Sequence, residues 1–407
     1  MKQAMLEMMP VPPNATKVQG LPATVWALGL TSLFMDISSE LIHGLLPLFL
    51  VLNLGASAAV LGLVEGIAEA TAQISRVFSG WLSDVLGKRK ALAVAGYCLA
   101  AATKPLFPLA SSVGLVLFAR FADRVGKGIR AAPRDALIAD VTPPASRGAA
   151  FGLRQSLDTI GAAVGPLAAI GLMVLFSDDI RTVLWFAVPP ALIAVAILVF
   201  GVSEPAATQK HDQVPLKIQE IALLGRPYWL VVGAGAVFTL ARFSEAFLVL
   251  RAQSRGLAVG LAPAVIAVMS IVFAASAYPA GRIQDKTGAR PLLLAGLAAL
   301  FAADLLLGFG QSLVAIFAGI ALWGLHLGLT QGVLAALVAT SAPKRLRGTA
   351  FGLFGLVTGL FTLLASVLAG MLWVKLGAGA TFAAGAGFAA IALLAFLFLK
   401  EPTEDRG

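Results

Sequence analysis

Long apolar stretches alternate with short polar ones along this chain. A membrane-crossing helix needs about 20 mostly apolar residues. Runs of that kind predict twelve spans, at 23–52, 57–82, 91–110, 112–138, 149–176, 182–202, 227–250, 257–281, 291–309, 312–341, 348–374 and 378–399. Only helices are expected there, because backbone exposed to lipid has to satisfy its own hydrogen bonds. Charges intrude most on the fourth and fifth spans. The longest polar stretch, "SEPAATQKHDQVPLKIQEIALLGRP" at 203–227, separates the twelve into two sets of six. The organisation expected is an N-terminal segment 1–22, a six-helix bundle 23–202, a central loop 203–226, a second six-helix bundle 227–399 and a tail 400–407.

Composition narrows the class. Of the 407 residues, 59% are hydrophobic and 13% charged, whereas soluble domains carry about 45–50% apolar and about 25% charged residues. An all-α integral membrane protein is the reading, with the lipid bilayer as its solvent. The formal charge of +9 raises nucleic acid as a partner. In a membrane protein, however, a basic surplus sits in cytoplasmic loops and sets orientation, so no nucleic-acid role is expected. Thirteen Lys and Arg residues fall in loops on the side of 80–90 and four on the other side, which places both termini in the cytoplasm. Cys98 is the lone cysteine, so neither an intrachain disulfide nor a cysteine metal cluster is expected. Residues 1–22 lack the basic-then-apolar pattern of a cleaved signal, and Pro10, Pro12 and Pro13 break any helix there. Entry into the membrane then falls to the first span.

The two halves are related. Gly80, Asp84, Gly87 and Arg89 of "GWLSDVLGKRK" recur 201 positions later as Gly281, Asp285, Gly288 and Arg290. "RGAAFGL" at 147–153 recurs 200 positions later as "RGTAFGL" at 347–353. Duplication of a six-helix unit follows, and duplicated membrane bundles commonly place a substrate site at the midplane between the halves. With Leu82 and Lys88 in place as well, the first copy resembles the loop motif between helices two and three of the major facilitator superfamily of secondary transporters. The similarity covers essentially the whole chain, with Val85 standing where many members carry a basic residue.

That resemblance implies the family fold of twelve helices in two six-helix bundles, as a monomer. It also implies a latch between the halves at the cytoplasmic side. The latch set is Gly80, Asp84, Gly87, Lys88, Arg89, Asp140 and Arg147, with Gly281, Asp285, Gly288, Arg290 and Arg347 in the second half. By the same analogy Asp84 meets the start of the eleventh helix near Gly348, and Lys88 or Arg89 reaches Asp140. The bland alternative is that Lys88, Arg89 and Lys90 only anchor topology.

Ionisable groups at bilayer depth are costly and usually face the protein interior or a water-filled path. "FMDISSELIH" places Asp36, Glu40 and His43 on one face of the first helix. Carboxyl groups kept out of water there can take a proton from one side and release it to the other, which makes Asp36 and Glu40 the proton-coupling or cation-binding candidates. A structural ion pair with the fourth helix is the alternative. Glu65, Glu69, Gln73 and Arg76 share a stripe of the second helix. Arg120, Arg124, Lys127 and Arg130 track one side of the fourth, which also holds Asp123. Arg120 followed by Gly126 and Gly128 resembles the family's helix-four pattern, whose arginine is linked to proton transfer. "GAAVGP", with Gly161, Gly165 and Pro166, resembles the motif of exporters and antiporters. Arg154 and Asp158 are spaced to pair with each other. The second half offers Arg242, Glu245, Asp304, His326 and Gln331, with Phe238, Phe243, Phe247 and Trp323 as an aromatic wall.

The function expected is export of a small molecule by proton-coupled antiport across the bacterial inner membrane. The proton gradient supplies the energy, and no cofactor is expected. Two rival cargoes stand beside it: a divalent metal ion held by Asp36, Glu40, His43 and His326, or an organic anion gripped by Arg124 and Lys127. An enzyme is not expected, since no nucleophile–base pair or phosphate-cradling loop is visible, and "VGKG" at 125–128 lacks the spacing and the Ser or Thr of an ATP-binding loop.

Overall fold

The structure, a computed structural model, describes residues 21–86, 88–143, 146–203, 221, 223–330, 333–343 and 346–398. Among them all regular structure is helical and forms twelve membrane-length segments. In the first half these are α1 (Ala23–Leu48, running into a π turn, Phe49–Asn53), α2 (Ala58–Leu86), α3 (Arg89–Thr103 continued by Leu106–Leu109), α4 (Val113–Val141), α5 (Arg147–Leu175) and α6 (Ile180–Trp185 continued by Val188–Gly201). The second half holds α7 (Arg226–Leu240 and Ala246–Ser254), α8 (Pro263–Thr287), α9 (Ala289–Phe309), α10 (Leu313–Thr330 and Val333–Ser341), α11 (Arg347–Leu376) and α12 (Ala378–Phe398).

Nine of these segments are long and apolar enough to cross a membrane on composition alone. The three others have a physical reason to fall short. α2 and α4 carry the buried charges, and α7 is interrupted at 241–245. Local chemistry sets the interruptions and ends. Pro47, which has no N–H to donate, precedes the π turn of α1. Ser112 caps α4 by accepting from the Leu115 amide at 3.4 Å. Gly288, in the second copy of the repeated loop motif, has φ 82°, a left-handed turn that a side chain would strain, and it divides α8 from α9. Its counterpart Gly87 lies outside the described residues, as do the side chains of Gly80, Asp84, Asp285 and Arg347.

Small residues bring the helices together, as membrane packing requires. A Cβ at Gly161 would lie 2.7 Å from the Leu33 carbonyl, and one at Gly165 would lie 2.8 Å from that of Ile37. The exporter-like glycine pair therefore seats α5 directly on α1 beside Asp36 and Glu40, whose Cβ atoms would each stand 3.0 Å from the added carbons. Between the halves, a Cβ at Gly62 would meet the Ser366 carbonyl at 2.2 Å and one at Gly370 that of Ala58 at 2.5 Å, so α2 and α11 are in backbone contact.

The loop end is the end that carries residues 86, 88–89, 141–143, 146–147 and 287–289; the opposite end is the far end. At the far end one apolar cluster takes side chains from both halves, including Leu45, Phe49, Leu61 and Met173 with Phe247, Val265, Trp323 and Ala369. Toward the loop end the core is divided. One cluster belongs to the first half (Val25, Leu28, Tyr97, Leu137, Leu198) and two belong to the second (Leu292, Leu297 and Phe396; Tyr228, Val338 and Leu346). The apolar core is thus shared by the halves at the far end and separate in each half toward the loop end.

Gly165→Leu is expected to destabilise the protein by about 1–3 kcal/mol, the usual cost of overpacking. Gly171→Leu on the same helix, where nothing lies within 4 Å, is expected to be tolerated. Thermal unfolding of both variants in detergent checks the contrast.

Candidate transport cavity

A cavity of about 540 Å³ opens between the halves at mid-depth. Its two walls differ in kind. The first half supplies Glu40, His43, Glu65, Glu69, Gln73, Arg124 and Lys127. The second supplies Phe238, Phe243, Phe273, Trp323, Phe351 and Phe354, the hydroxyls of Thr239, Ser244, Ser270, Thr358 and Thr362, and the pair Arg242 and Glu245.

The charged wall is built by ion pairs between helices. Arg120 of α4 forms a two-pronged pair with Glu65 of α2, Nε to Oε1 at 3.2 Å and Nη2 to Oε2 at 2.8 Å, both side chains 1% exposed. One helical turn on, Arg124 reaches Glu69 at 3.6 Å. Behind them Lys104 donates to Asp123 at 2.8 Å and to the Ser39 hydroxyl at 3.0 Å, tying α3, α4 and α1 together out of reach of the cavity. Arg130 lies over the Tyr97 ring, 4.6 Å from its centroid. Nearer the loop end Arg134 bonds Ser32 at 2.8 Å and Asp135 at 3.1 Å, and Arg154 pairs with Asp158. On α1, Glu40 and His43 sit 3.3 Å apart and both face the cavity. Lys127 is exposed in the cavity, and among the described residues no carboxylate lies within 4.0 Å of it.

The second wall is shaped by the break in α7. Arg242 sits on the break with its guanidinium 5.5 Å from the Phe238 ring centroid, and Glu245 stands at the start of the second piece of α7. The Ser244 amide donates to Ser366 of α11 at 3.2 Å. Beyond the break Arg251 holds the end of α9 through the carbonyls of Leu307, Gly308 and Gly310. Phe243 is the centre of an aromatic plug that closes the cavity toward the far end. Its ring centroid lies 5.6 Å from Phe247, 5.4 Å from Trp323 and 5.4 Å from Phe382, and Trp373 packs on Phe247 and Phe382.

The structure separates the candidates that sequence spacing had grouped. Glu40, His43, Glu65, Glu69, Arg124, Lys127, Arg242 and Glu245 line the cavity. Asp36 does not; it lies one turn nearer the loop end, against Gly161. Arg120 and Asp123 are buried behind the wall, with Glu65 and Lys104 as partners rather than Asp36 or Glu40. His326 is corrected more firmly. It is 0% exposed, and its Nδ1 is 2.8 Å from the Gly296 carbonyl of α9, outside the cavity lining. The four-residue metal set is therefore not assembled. Asp304 is sealed beside Gly385 and Phe243, with neither carboxyl oxygen hydrogen-bonded among the described residues.

Of the latch set, Arg89 pairs with Asp140. Lys88 and Gly288 are exposed, and the Arg290 guanidinium bonds the Leu397 carbonyl. Arg147 and Gly281 are exposed at the loop end. Lys104, Ser39, Thr358 and Thr362 were missed by the sequence reading. The one signal for Lys104 is a single cation in an otherwise apolar run.

The model of the Major Facilitator Superfamily matches residues 28–276 and 230–407. An uncharacterized MFS-type transporter of Methanocaldococcus jannaschii is 32% identical over 391 residues, which cover 93% of this chain and 95% of that protein. The multidrug resistance protein MdtH of Aeromonas hydrophila is 31% identical over 148 residues, 36% of this chain and 37% of that one. Among solved structures, the nucleoside transporter NupG has a TM-score of 0.77 at 13% identity, covering 92% of this chain and 99% of its own. A peptide transporter POT has a TM-score of 0.78 at 14% identity, covering 98% and 97%. At such identities these two structures show a shared fold.

Arg120→Ala leaves the Glu65 carboxylate buried without its partner and is expected to cost about 3–5 kcal/mol. Replacing both residues by apolar ones of similar size is expected to recover most of that loss. Thermal unfolding of the single and double variants checks it.

Proposed function

The chain belongs to the major facilitator superfamily, and from that premise we propose that it is a secondary transporter that exports a small molecule in exchange for protons. The observation that carries the proposal is the Glu40–His43 pair facing a cavity between two halves that share one apolar core at the far end and have separate cores toward the loop end. A carboxyl there is reachable from one side at a time. Protons and cargo compete for Glu40, and competition is what turns a proton gradient into uphill movement. A ligand with equal affinity for both arrangements of the halves shifts nothing.

In this reading Glu40 is the carrier and Glu69, its side chain 34% exposed, extends the path. Asp36 acts behind them, where Gly161 brings α5 against it. The Glu65–Arg120 pair holds the wall in place. The aromatic side of the cavity suits the apolar part of an amphipathic cargo. Export is supported by the Gly161, Gly165 and Pro166 pattern and by the likeness of part of the chain to a protein named for multidrug resistance. The basic loops support a bacterial inner-membrane protein with both termini cytoplasmic, so that the loop end opens to the cytoplasm. The protein works as a monomer, without a cofactor, and moves its cargo chemically unchanged.

A second reading has one observation in its favour. Lys127 stands in the cavity with no carboxylate within 4.0 Å among the described residues, as a site for an organic anion would require.

In proteoliposomes with an imposed pH gradient, ethidium is expected to accumulate against its concentration, and collapse of the gradient is expected to stop it. Glu40→Gln is expected to abolish gradient-driven accumulation while leaving ethidium exchange across the membrane. Full accumulation by Glu40→Gln defeats the assignment. Carboxyfluorescein uptake that Lys127→Gln abolishes would instead favour the anion reading.

A further inference from the structure

The halves meet along α2 and α11 over most of their length. Gly370 lies against Ala58 at the far end, Gly62 against Ser366, and Gly352 and Gly355 against Val77 toward the loop end. These contacts are glycine, backbone and aliphatic carbon. Among the described residues, the side-chain hydrogen bonds that cross from one half to the other both belong to Gln73. Its Nε2 donates to Thr362 Oγ1 at 3.3 Å, and its Oε1 accepts from Thr358 Oγ1 at 3.0 Å. All three side chains line the cavity.

The partners are unequally committed. The single proton of the Thr358 hydroxyl is shared between Gln73 Oε1 and the Phe354 carbonyl, 2.8 Å away, and the Thr362 hydroxyl donates to the Thr358 carbonyl at 2.8 Å, the back-bonding that threonines make inside helices. Either threonine can release Gln73 and stay satisfied on its own helix. Gln73 has no other hydrogen bond among the described residues. Its half-buried amide pays the desolvation of donor and acceptor if it is left alone. Parting α2 from α11 therefore leaves the Gln73 amide to water or to a cargo group that takes the threonines' place.

We propose that Gln73 is the clasp between the halves, and that cargo in the cavity releases it by offering an acceptor to Nε2 and a donor to Oε1. The cargo group that does so is neutral and carries both functions together, as a carboxamide, lactam or hydroxyl does. The proposal rests on the transport reading but not on proton coupling. A ligand that replaces a contact made in one arrangement only has the differential affinity that a population shift needs.

Spin labels at Phe78→Cys and Leu360→Cys, positions 59% and 61% exposed, report the α2–α11 separation by electron double resonance in nanodiscs. A Cys98→Ser background removes the native thiol, and no gradient is applied. Gln73→Leu and Thr358→Val are each expected to raise the separated population about tenfold, the scale of one or two neutral hydrogen bonds. The double variant is expected to go no further than Gln73→Leu alone, and Thr358→Ser to keep the wild-type distribution. Benzamide is expected to move the wild type toward the Gln73→Leu distribution. Methyl benzoate, similar in shape but without the N–H, is expected to leave it unchanged. Wild-type distributions in the single variants overturn the clasp, and if Gln73→Leu does not fold, Thr358→Val decides. The cargo chemistry is overturned by an equal or absent response to the two probes, or by a benzamide response that survives in Gln73→Leu. Loss of gradient-driven transport bears on the exchange mechanism and leaves these distances unaffected.

Discussion

Inside a bilayer a charge is tolerated beside a counter-charge or water, and the first half of the molecule is organised around that demand. Lys104 with Asp123, Arg120 with Glu65 and Arg124 with Glu69 join α3, α4 and α2. Pairs of this kind are weak evidence for stability, because desolvation offsets most of the attraction. Their geometric effect is firmer. A two-pronged arginine–carboxylate pair fixes how α2 and α4 are rotated about their own axes. That rotation turns Glu69 and Lys127 into the cavity and keeps Arg120 and Asp123 behind it.

The second half contributes shape more than charge. Its break in α7 brings Arg242, Phe243, Ser244 and Glu245 to the cavity in a stretch where a continuous helix would have faced some of them elsewhere. Discontinuous helices at mid-depth are a known way to present a binding surface in transporters. Ser366 holds the break itself through the Ser244 amide, and Arg251 ties the second piece of α7 to α9. One wall therefore holds most of the titratable groups, and the other holds rings and hydroxyls beside the Arg242 and Glu245 pair.

The spans were legible because apolar length is a strong signal, and the repeat of Gly80 to Arg89 at Gly281 to Arg290 made the duplication visible. The pairing inside the membrane was not legible. Spacing put Asp36, Glu40 and His43 on one face of α1, yet the face is wide enough that Asp36 meets α5 while Glu40 meets the cavity. Which neighbour a charged residue finds depends on helix rotation, and the sequence carries no record of that. Lys104 is a lone cation inside the span expected at 91–110, and only the packed helices show it 1% exposed with Asp123 as its partner. His326 looked like a ligand because histidine is versatile, but it was taken by a carbonyl thirty residues away on α9. Gln73 was noticed as part of a stripe, whereas its partners lie in the other half of the chain.

The aromatic plug around Phe243 has a consequence for kinetics. Phe247, Trp323, Trp373 and Phe382 shield one another from water, and their ring contacts carry no strong directional bond. Any passage that opens the far end has to wet these rings. Hydrating apolar surface raises the heat capacity, so the activation enthalpy of that step grows as the temperature climbs. Turnover limited by it would trace a curve, not a straight line, against reciprocal temperature.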